Sequence, residues 1–269
     1  MPTMPLPQGG LAFGQTFATT TYGTTLTGSI SANTQGTPQE LIAATAQDAH
    51  WIEVMVGNPS AAASFAVDIL IGAATAAPLI PKLTFRGRTA NEGGGRWLFP
   101  VFVPKGSRIA ASVQSSGGNT TCIVGVVLFN SGITSHGMPM DVVQYGTLTT
   151  SLGVNVECTV INTKTTTPVE ITAATTRDHH WLVLTIANID VAWAASCKKL
   201  IDVLIGASTE AVLVGNLATG GAGTADQQMP EQQFHLPVYV PKGSRLAVQM
   251  QASAVTDGDR DIYVTIHGA

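Results

Sequence analysis

Two short stretches of the sequence each place an aspartate, a histidine and a tryptophan side by side. They are Asp48, His50 and Trp51 in "DAHW", and Asp178, His179, His180 and Trp181 in "DHHW". A His–Asp pair can bind a metal ion or act as a general base. However, His50 and His180 share strand parity with the apolar residues that follow them, which places both at the entry of a core-facing row. We therefore favour hydrogen-bonded structural histidines and keep a metal site, a general base and a pH-sensitive contact as alternatives.

A second candidate is a run of alternating aspartates near the end of the chain. "DGDRD" spaces Asp257, Asp259 and Asp261 two residues apart, and oxygen ligands at alternate positions around a glycine can wrap Ca²⁺. The bidentate glutamate of an EF-hand is absent, and the matching loop "SGGNTTC" has no acidic residue. A solvated turn is the favoured interpretation, with calcium as the alternative.

The sequence lacks the common catalytic and cofactor motifs. It has no GxSxG nucleophile elbow, no HExxH and no P-loop. We therefore predict a protein without enzymatic activity and without a cofactor.

Composition and charge narrow the class of partner. Charged residues make up 11% of the chain and the formal net charge is −4, which gives no general field for nucleic acid. Arg86, Arg88 and Arg96 form one local basic patch, interpreted as a solvated loop. No stretch is long and apolar enough for a membrane helix, and the N-terminus does not resemble a signal peptide. Cys122, Cys158 and Cys197 have no metal-ligand spacing and are predicted to be reduced thiols.

The chain repeats itself. "PQELIAATAQDAHWIEVMV" matches "PVEITAATTRDHHWLVLTI", "VDILIGAATAA" matches "IDVLIGASTEA", and "PVFVPKGSR" matches "PVYVPKGSR". The spacing between copies grows along the chain, as insertions in loops would cause. We predict an N-terminal extended arm over residues 1–20, a first domain over 21–132 and a second over 133–269, and we expect the arm to be disordered or to order on a partner.

The repeated segments have the alternation of half-buried strands. Apolar and polar residues alternate with a period of two, and no segment has a sustained helical period. The predicted core rows are Ile109, Ala111 and Val113; Leu246, Val248 and Met250; Val67, Ile69 and Ile71; Ile201, Val203 and Ile205; Val124, Val126 and Leu128; and Ile262, Val264 and Ile266. Seven or eight such strands per copy predict an all-β protein of two tandem β-sandwiches, with jelly-roll topology favoured.

The phrase "VPKGSR" has the chemistry of a tight corner between strands. Proline cannot donate to a strand ladder, and glycine can adopt a positive φ in a turn. The predicted turn residues are Pro104, Lys105, Gly106, Ser107 and Arg108 in the first copy, and Pro241, Lys242, Gly243, Ser244 and Arg245 in the second. Just before each turn, Phe102 and Tyr239 have the outward parity. They are candidates for an interface, with cover by a loop or by the arm as the alternative.

The second copy of this signature, "LPVYVPKGSRLAVQMQAS" after "DVLIGAS", resembles a strand–turn–strand signature of structural proteins of tailed bacteriophages. The resemblance covers both repeats. It implies a non-enzymatic virion protein made of β-sandwich modules, with roles such as capsid decoration, head fibre, collar or tail. Such a protein would be synthesised in the cytoplasm of the bacterial host and reside in the virion. Other capsid or tail subunits would be its partners, and a symmetric homo-oligomer is expected.

Two further hypotheses come from other functional classes. A carbohydrate-binding module recognising host surface glycan would use Trp97 and Trp193 as stacking platforms, although neither has a counterpart in the other copy. A cupin-like metalloenzyme would need His50 and His180 inside a barrel with further ligands, and the chain has too few histidines for two complete sites.

Overall fold

The structure, a computed structural model, contains strands and loops and no helix in the residues it describes. These are residues 11–14, 23–72, 76–87, 93–130, 138–146, 153–187, 197–206, 210–220, 232–255 and 261–269. The chain divides into two compact units: unit 1 is Met1–Gln144 with His267–Ala269, and unit 2 is Tyr145–Ile266. The predicted all-β fold of two β-sandwiches is confirmed.

Unit 1 is built from the first nine strands of the chain. They are β1 Leu11–Gly14, β2 Thr24–Thr27, β3 Gln39–Ile42, β4 Trp51–Gly57, β5 Ser64–Ile71, β6 Ala77–Arg86, β7 Gly94–Phe99, β8 Ile109–Ser115 and β9 Thr121–Asn130. One sheet has the order β1-β9-β4-β7 with β2 also on β9, and the other has the order β3-β8-β5-β6. The pairs β2·β9, β3·β8, β4·β7 and β5·β6 nest like the arms of one long hairpin. This nesting, closed by β4·β9 and β5·β8, is a jelly roll.

The second nine strands repeat this order. They are β10 Val143–Tyr145, β11 Val154–Glu157, β12 Val169–Thr172, β13 Leu182–Ala187, β14 Lys198–Ile205, β15 Ala211–Gly220, β16 Gln232–Leu236, β17 Leu246–Ala252 and β18 Asp261–Gly268. The sheets have the orders β10-β18-β13-β16, with β11 also on β18, and β12-β17-β14-β15. Each strand of the first set therefore has one counterpart nine places later, as an internal duplication requires.

The predicted core rows lie inside the sandwiches, except that Ile71 and Ile205 at the ends of their strands are only half-buried. Val124, Val126 and Leu128 on β9 are fully buried, as are their counterparts on β18. On β17 the apolar row is buried while Gln249 is half-buried, which is the expected alternation. Strand β8 departs from it, because the polar-row residue Ser112 is also buried and accepts a hydrogen bond from Gln35 Nε2 at 2.8 Å.

The repeat starts earlier than the sequence comparison indicates. Residues 11–14 of the predicted arm form β1, which pairs with the end of β9 from Leu11 opposite Asn130 to Gly14 opposite Val127. Its counterpart β10 pairs with β18. The other arm residues, 1–10 and 15–20, and residues 131–137 around the predicted boundary at 132/133 lie outside the described part of the chain. The predicted domain limits therefore stay a prediction.

Candidate functional site

The two motifs that the sequence repeats most faithfully contact each other. In unit 1 the backbone N–H of Lys105 donates to Asp48 Oδ1 at 2.7 Å, and in unit 2 Lys242 N–H donates to Asp178 Oδ1 at 2.6 Å. Each aspartate thus holds the "PKGSR" turn of its own unit. We call this pairing the turn clasp. The recurrence of the aspartate and of "PKGSR" in both copies was the sequence signal for it, but contact between segments more than 50 residues apart is not visible in a linear pattern.

A threonine completes the turn clasp in each unit. Thr45 Oγ1 donates to Pro104 O at 2.7 Å and accepts from Ser107 N–H at 3.0 Å. Thr175 repeats both bonds with Pro241 O at 2.7 Å and Ser244 N–H at 3.1 Å. These side chains satisfy backbone groups of a tight turn, which is a structural role.

The remaining turn residues also have structural partners. Gly106 and Gly243 have φ of 82° and 81°, and an added Cβ would meet nothing within 4 Å. Glycine is therefore required for its backbone conformation and not for space. Arg108 Nε bonds Glu40 Oε2 at 2.7 Å, and Arg245 Nε bonds Glu170 Oε2 at 2.7 Å.

The three motif histidines lie in different environments. His50 is buried at the end of its core row, with its ring centroid 5.8 Å from that of Phe102. The expectation that His180 lies likewise is wrong: His180 is exposed, with its ring 5.0 Å from Tyr239. Instead His179 is fully buried, and its Nε2 lies 2.8 Å from Tyr145 Oη. Parity within a strand cannot show whether a loop outside the sheet covers the ring.

Metal and sugar-stacking sites are not assembled from the predicted residues. Within the described ranges no three His, Cys, Asp or Glu side chains are grouped to hold a metal ion. Asp257 and Asp259 lie outside those ranges, and Asp261 Oδ2 accepts from Asn155 Nδ2 at 3.3 Å. Trp97 cannot serve as a stacking platform, because it is fully buried in the core of unit 1. Trp193 lies outside the described residues.

The remaining predicted groups are internal or paired. The three cysteines are free and buried, and burial raises the pKa of Cys122 to about 12, so this thiol is unreactive at neutral pH. In the predicted basic patch Arg96 pairs with Glu53, Arg86 donates to Ser64 Oγ at 3.2 Å, and Arg88 lies outside the described residues. None of the described segments forms a helix long and apolar enough to cross a membrane.

A polar network missed by the sequence reasoning surrounds one aspartate in each unit. In unit 1 Asp68 Oδ1 accepts from Lys82 N–H at 2.7 Å, and Lys82 Nζ reaches Asp68 Oδ2 at 3.3 Å and Gln35 Oε1 at 2.9 Å. Lys82 has a φ of 48°, where β6 is bulged against β5. The carboxylate therefore fixes the backbone of an irregular edge strand. We call this the aspartate network.

The aspartate network of unit 2 uses the counterpart aspartate and a different lysine. Asp202 Oδ1 accepts from Asn216 N–H at 2.7 Å, and Asp202 Oδ2 pairs with Lys164 Nζ and accepts from Gln249 Nε2 at 2.8 Å. Burial opposes ionisation of Asp202, but the hydrogen bonds from Lys164, Asn216 and Gln249 hold its pKa below the ordinary value.

The loop between the second and third strands carries the exposed apolar residues. Ile30 between β2 and β3 is 86% exposed, and Val160 and Ile161 between β11 and β12 are 58% and 52% exposed. The two loops are anchored alike, because Asn33 N–H donates to Ser115 O at 2.7 Å and Asn162 N–H to Ala252 O at 2.8 Å. We call Ile30, Val160 and Ile161 the loop tips.

A cavity of about 390 Å³ lies beneath the loop tip of unit 1. The lining has no charged side chain, and its one large apolar side chain is Ile30. The lining residues are Thr27, Gly28, Ser29, Ile30, Gln35, Gly36, Thr37 and Gln39. The size falls in the range of small-ligand sites, and hydroxyl and amide groups can bond a neutral polyhydroxylated molecule.

No family model and no curated protein matches the chain. Among solved structures it is similar to the tandem CBM22-1-CBM22-2 domains of Xyn10C from Paenibacillus barcinonensis, with 10% identity, 86% of this chain and 82% of that one covered, and a TM-score of 0.29. It is also similar to PNGF-II, with 9% identity, 96% of this chain and 65% of that one covered, and a TM-score of 0.37. At these scores neither likeness bears on binding or activity.

Proposed function

We propose that this chain is a non-enzymatic structural protein of a virion that docks on other virion subunits through the loop tips of its two units. The observation that carries the proposal is the exposure of Ile30, Val160 and Ile161 in the same loop of both units. They are three of the six exposed large hydrophobic side chains among the described residues. Apolar side chains presented together on loops are typical of contact surfaces.

The anchoring of the loops supports a contact role. Asn33 and Asn162 have φ of 56° and 55°, so both loops turn by the same backbone conformation. A loop held by backbone bonds to the neighbouring strand loses little conformational entropy on binding. Each unit has one such loop, so each chain carries two candidate contacts.

The polar groups support the absence of catalysis. Asp48 and Asp178 are engaged in the turn clasp, while Asp68 and Asp202 are engaged by lysine and backbone donors. A catalytic carboxylate needs an oxygen that is free to accept a hydrogen bond or a proton from the substrate. The resemblance to bacteriophage structural proteins and the low charge content agree with an assembly role.

Particle labelling tests the proposal. Gold-labelled antibody against the purified chain should decorate bacteriophage particles from the lysate in which the chain is produced. Particles lacking the chain should bind added wild-type protein, and Ile30→Ser combined with Val160→Ser and Ile161→Ser should reduce binding at least about tenfold. Met140→Ser, at another exposed apolar position, is the matched control. Unlabelled particles, or equal binding by the triple variant, would contradict the proposal.

Glycan binding is the second candidate, and the polar cavity of unit 1 favours it. Titration of purified chain against an array of bacterial surface glycans should then give binding that Thr37→Val and Gln39→Ala abolish, because both residues line the cavity and are exposed. Val160→Ser combined with Ile161→Ser distinguishes the candidates, because this variant should weaken particle binding while neither residue lines the cavity. Absence of binding to every glycan would remove this candidate.

A further inference from the structure

Strand β6 and its counterpart β15 are each the last strand of a four-stranded sheet, and the described residues cover this edge in unit 1 but not in unit 2. Strand β6 is the edge of β3-β8-β5-β6, and its counterpart β15 is the edge of β12-β17-β14-β15. An exposed apolar edge is a template for pairing with another chain. The two edges therefore show what the same strand looks like with and without a partner segment.

In unit 1 residues 138–142 cover this edge. Val142 N–H donates to Leu79 O at 2.8 Å, and Phe102 N–H donates to Pro139 O at 2.9 Å. Leu79 and Ile80 are fully buried as a result, and Phe102 is half-buried. The segment "MPMDV" thus binds the β6 edge and the residue before the "PKGSR" turn together.

In unit 2 no described segment takes that place. Tyr239, the counterpart of Phe102, is 41% exposed, and Val212, at 56%, is exposed like its counterpart Pro78. Leu213 and Val214, the counterparts of Leu79 and Ile80, are only half-buried. The backbone N–H of Tyr239 has no hydrogen-bond partner among the described residues. We call Val212, Leu213, Val214 and Tyr239 the open edge.

The N-terminal sequence has the features of the missing segment. "MPL" at residues 4–6 precedes β1 as "MPM" at residues 138–140 precedes β10, and β1 and β10 are counterparts. Pro5 lies six residues before Leu11, whereas Pro139 lies four before Val143, so the arm has two more residues of reach. Residues 1–14 contain no charged side chain, which suits the neutral open edge.

We propose that the open edge of unit 2 binds residues 4–10 of a second copy of this chain, as the β6 edge of unit 1 binds residues 138–142. Each copy then offers one arm and one edge. Such a head-to-tail contact uses two different surfaces and closes into a ring or continues as a filament. The inference is independent of the proposed function, because the loop tips take no part in it.

Light scattering over a range of protein concentrations tests it. The full chain should show masses above the 27.9 kDa monomer that increase with concentration. Removal of residues 1–10 and, separately, Val212→Lys should each weaken association at least about tenfold, since a lysine on an edge strand blocks pairing. A peptide of residues 1–14 added in excess should dissociate the oligomer.

The controls separate this inference from alternatives. Ile30→Ser should associate like the wild type, while circular dichroism should show that Val212→Lys remains folded because the side chain is exposed. A full chain that is monomeric at every concentration overturns the inference, including the case in which the arm binds its own edge. An oligomer that survives both the deletion and Val212→Lys also overturns it.

Discussion

Unit 1 and unit 2 have an aspartate at the same position, Asp68 and Asp202, but the lysine that pairs with it comes from a different segment in each unit. In unit 1 the lysine is Lys82 on the bulged edge strand and the amide is Gln35 in the preceding loop. In unit 2 the lysine is Lys164 in that loop and the amide is Asn216 on the edge strand. Gln35 and Lys164 are counterparts, because the next residue in each donates to the same position of the neighbouring strand, Val113 O or Met250 O.

The exchange shows what the duplication has kept. The positions of one carboxylate, one ammonium and one amide are preserved as a set, although no single position keeps its lysine. A buried carboxylate without a cationic partner is costly, while the direction from which the cation comes has little effect on the energy. The aspartate network therefore stabilises the bulge and is not a site for a ligand.

The largest expected effect comes from removing the two aspartates. Asp202→Ala should destabilise unit 2 by about 3 kcal/mol, because its side chain is 2% exposed and its loss leaves the Lys164 ammonium unpaired. Asp68→Ala should cost unit 1 about 1–2 kcal/mol, because that side chain is 14% exposed and water can replace part of the network. Urea unfolding of both variants measures this. Equal losses of stability would contradict the expected difference between the two units.

Acid should distinguish the units next. His267 is fully buried, and its Nε2 lies 2.8 Å from the backbone oxygen of Pro81. Burial lowers the pKa of His267 to about 4. The unfolded chain takes up this proton below pH 6.5 and the folded chain does not, so stability falls as the pH decreases from 6.5 towards 4. Between pH 7 and 5 unit 1 should lose about 2 kcal/mol.

Urea unfolding at pH 7 and pH 5 measures this loss, and His267→Gln is the control because it keeps a donor for Pro81 O. The variant should show little change over the same interval. An unchanged pH dependence in His267→Gln would assign the effect to another group.

Exchange of the charges within unit 1 tests whether the lysine can come from either segment. Lys82→Asn alone should cost about 1–2 kcal/mol, because it leaves the Asp68 carboxylate with no ammonium partner. Combining it with Gln35→Lys reproduces the arrangement of unit 2 and should restore the lost stability. Asparagine also tolerates the positive φ at this position better than lysine. A double-mutant cycle measured by thermal unfolding tests this. Additive losses would show that the two positions are not exchangeable.

The smallest effect should be equal in the two units. Gly106→Ala and Gly243→Ala should each cost about 1 kcal/mol, because both glycines have a positive φ and neither has a neighbour that an added methyl would contact. Differential scanning calorimetry of the two variants measures the pair. A loss in one unit that is several times larger would mean that the turn clasps are not equivalent.

Much of the fold followed from local patterns. The alternation around Val124 and Ile262, the turn at Gly106 and the repeat of whole phrases depend on neighbours in sequence, and these give the strands, their inward faces and the duplication. The same patterns could not show that Asp48 holds Lys105, or that Trp97 is internal. Those outcomes depend on segments far apart in the chain.

Local patterns are enough to show that this protein is a duplicated all-β chain, because a period of two and the turn chemistry of proline and glycine act over a few residues. Which side chains remain exposed depends instead on packing between distant segments. His50 and His180 occupy the same position of the repeat and have the same parity, yet His50 is buried and His180 is exposed. Burial depends on what packs over a strand: residues 138–142 cover the edge of unit 1, where Leu79 and Ile80 are buried, while their counterparts Leu213 and Val214 in unit 2 are half-buried.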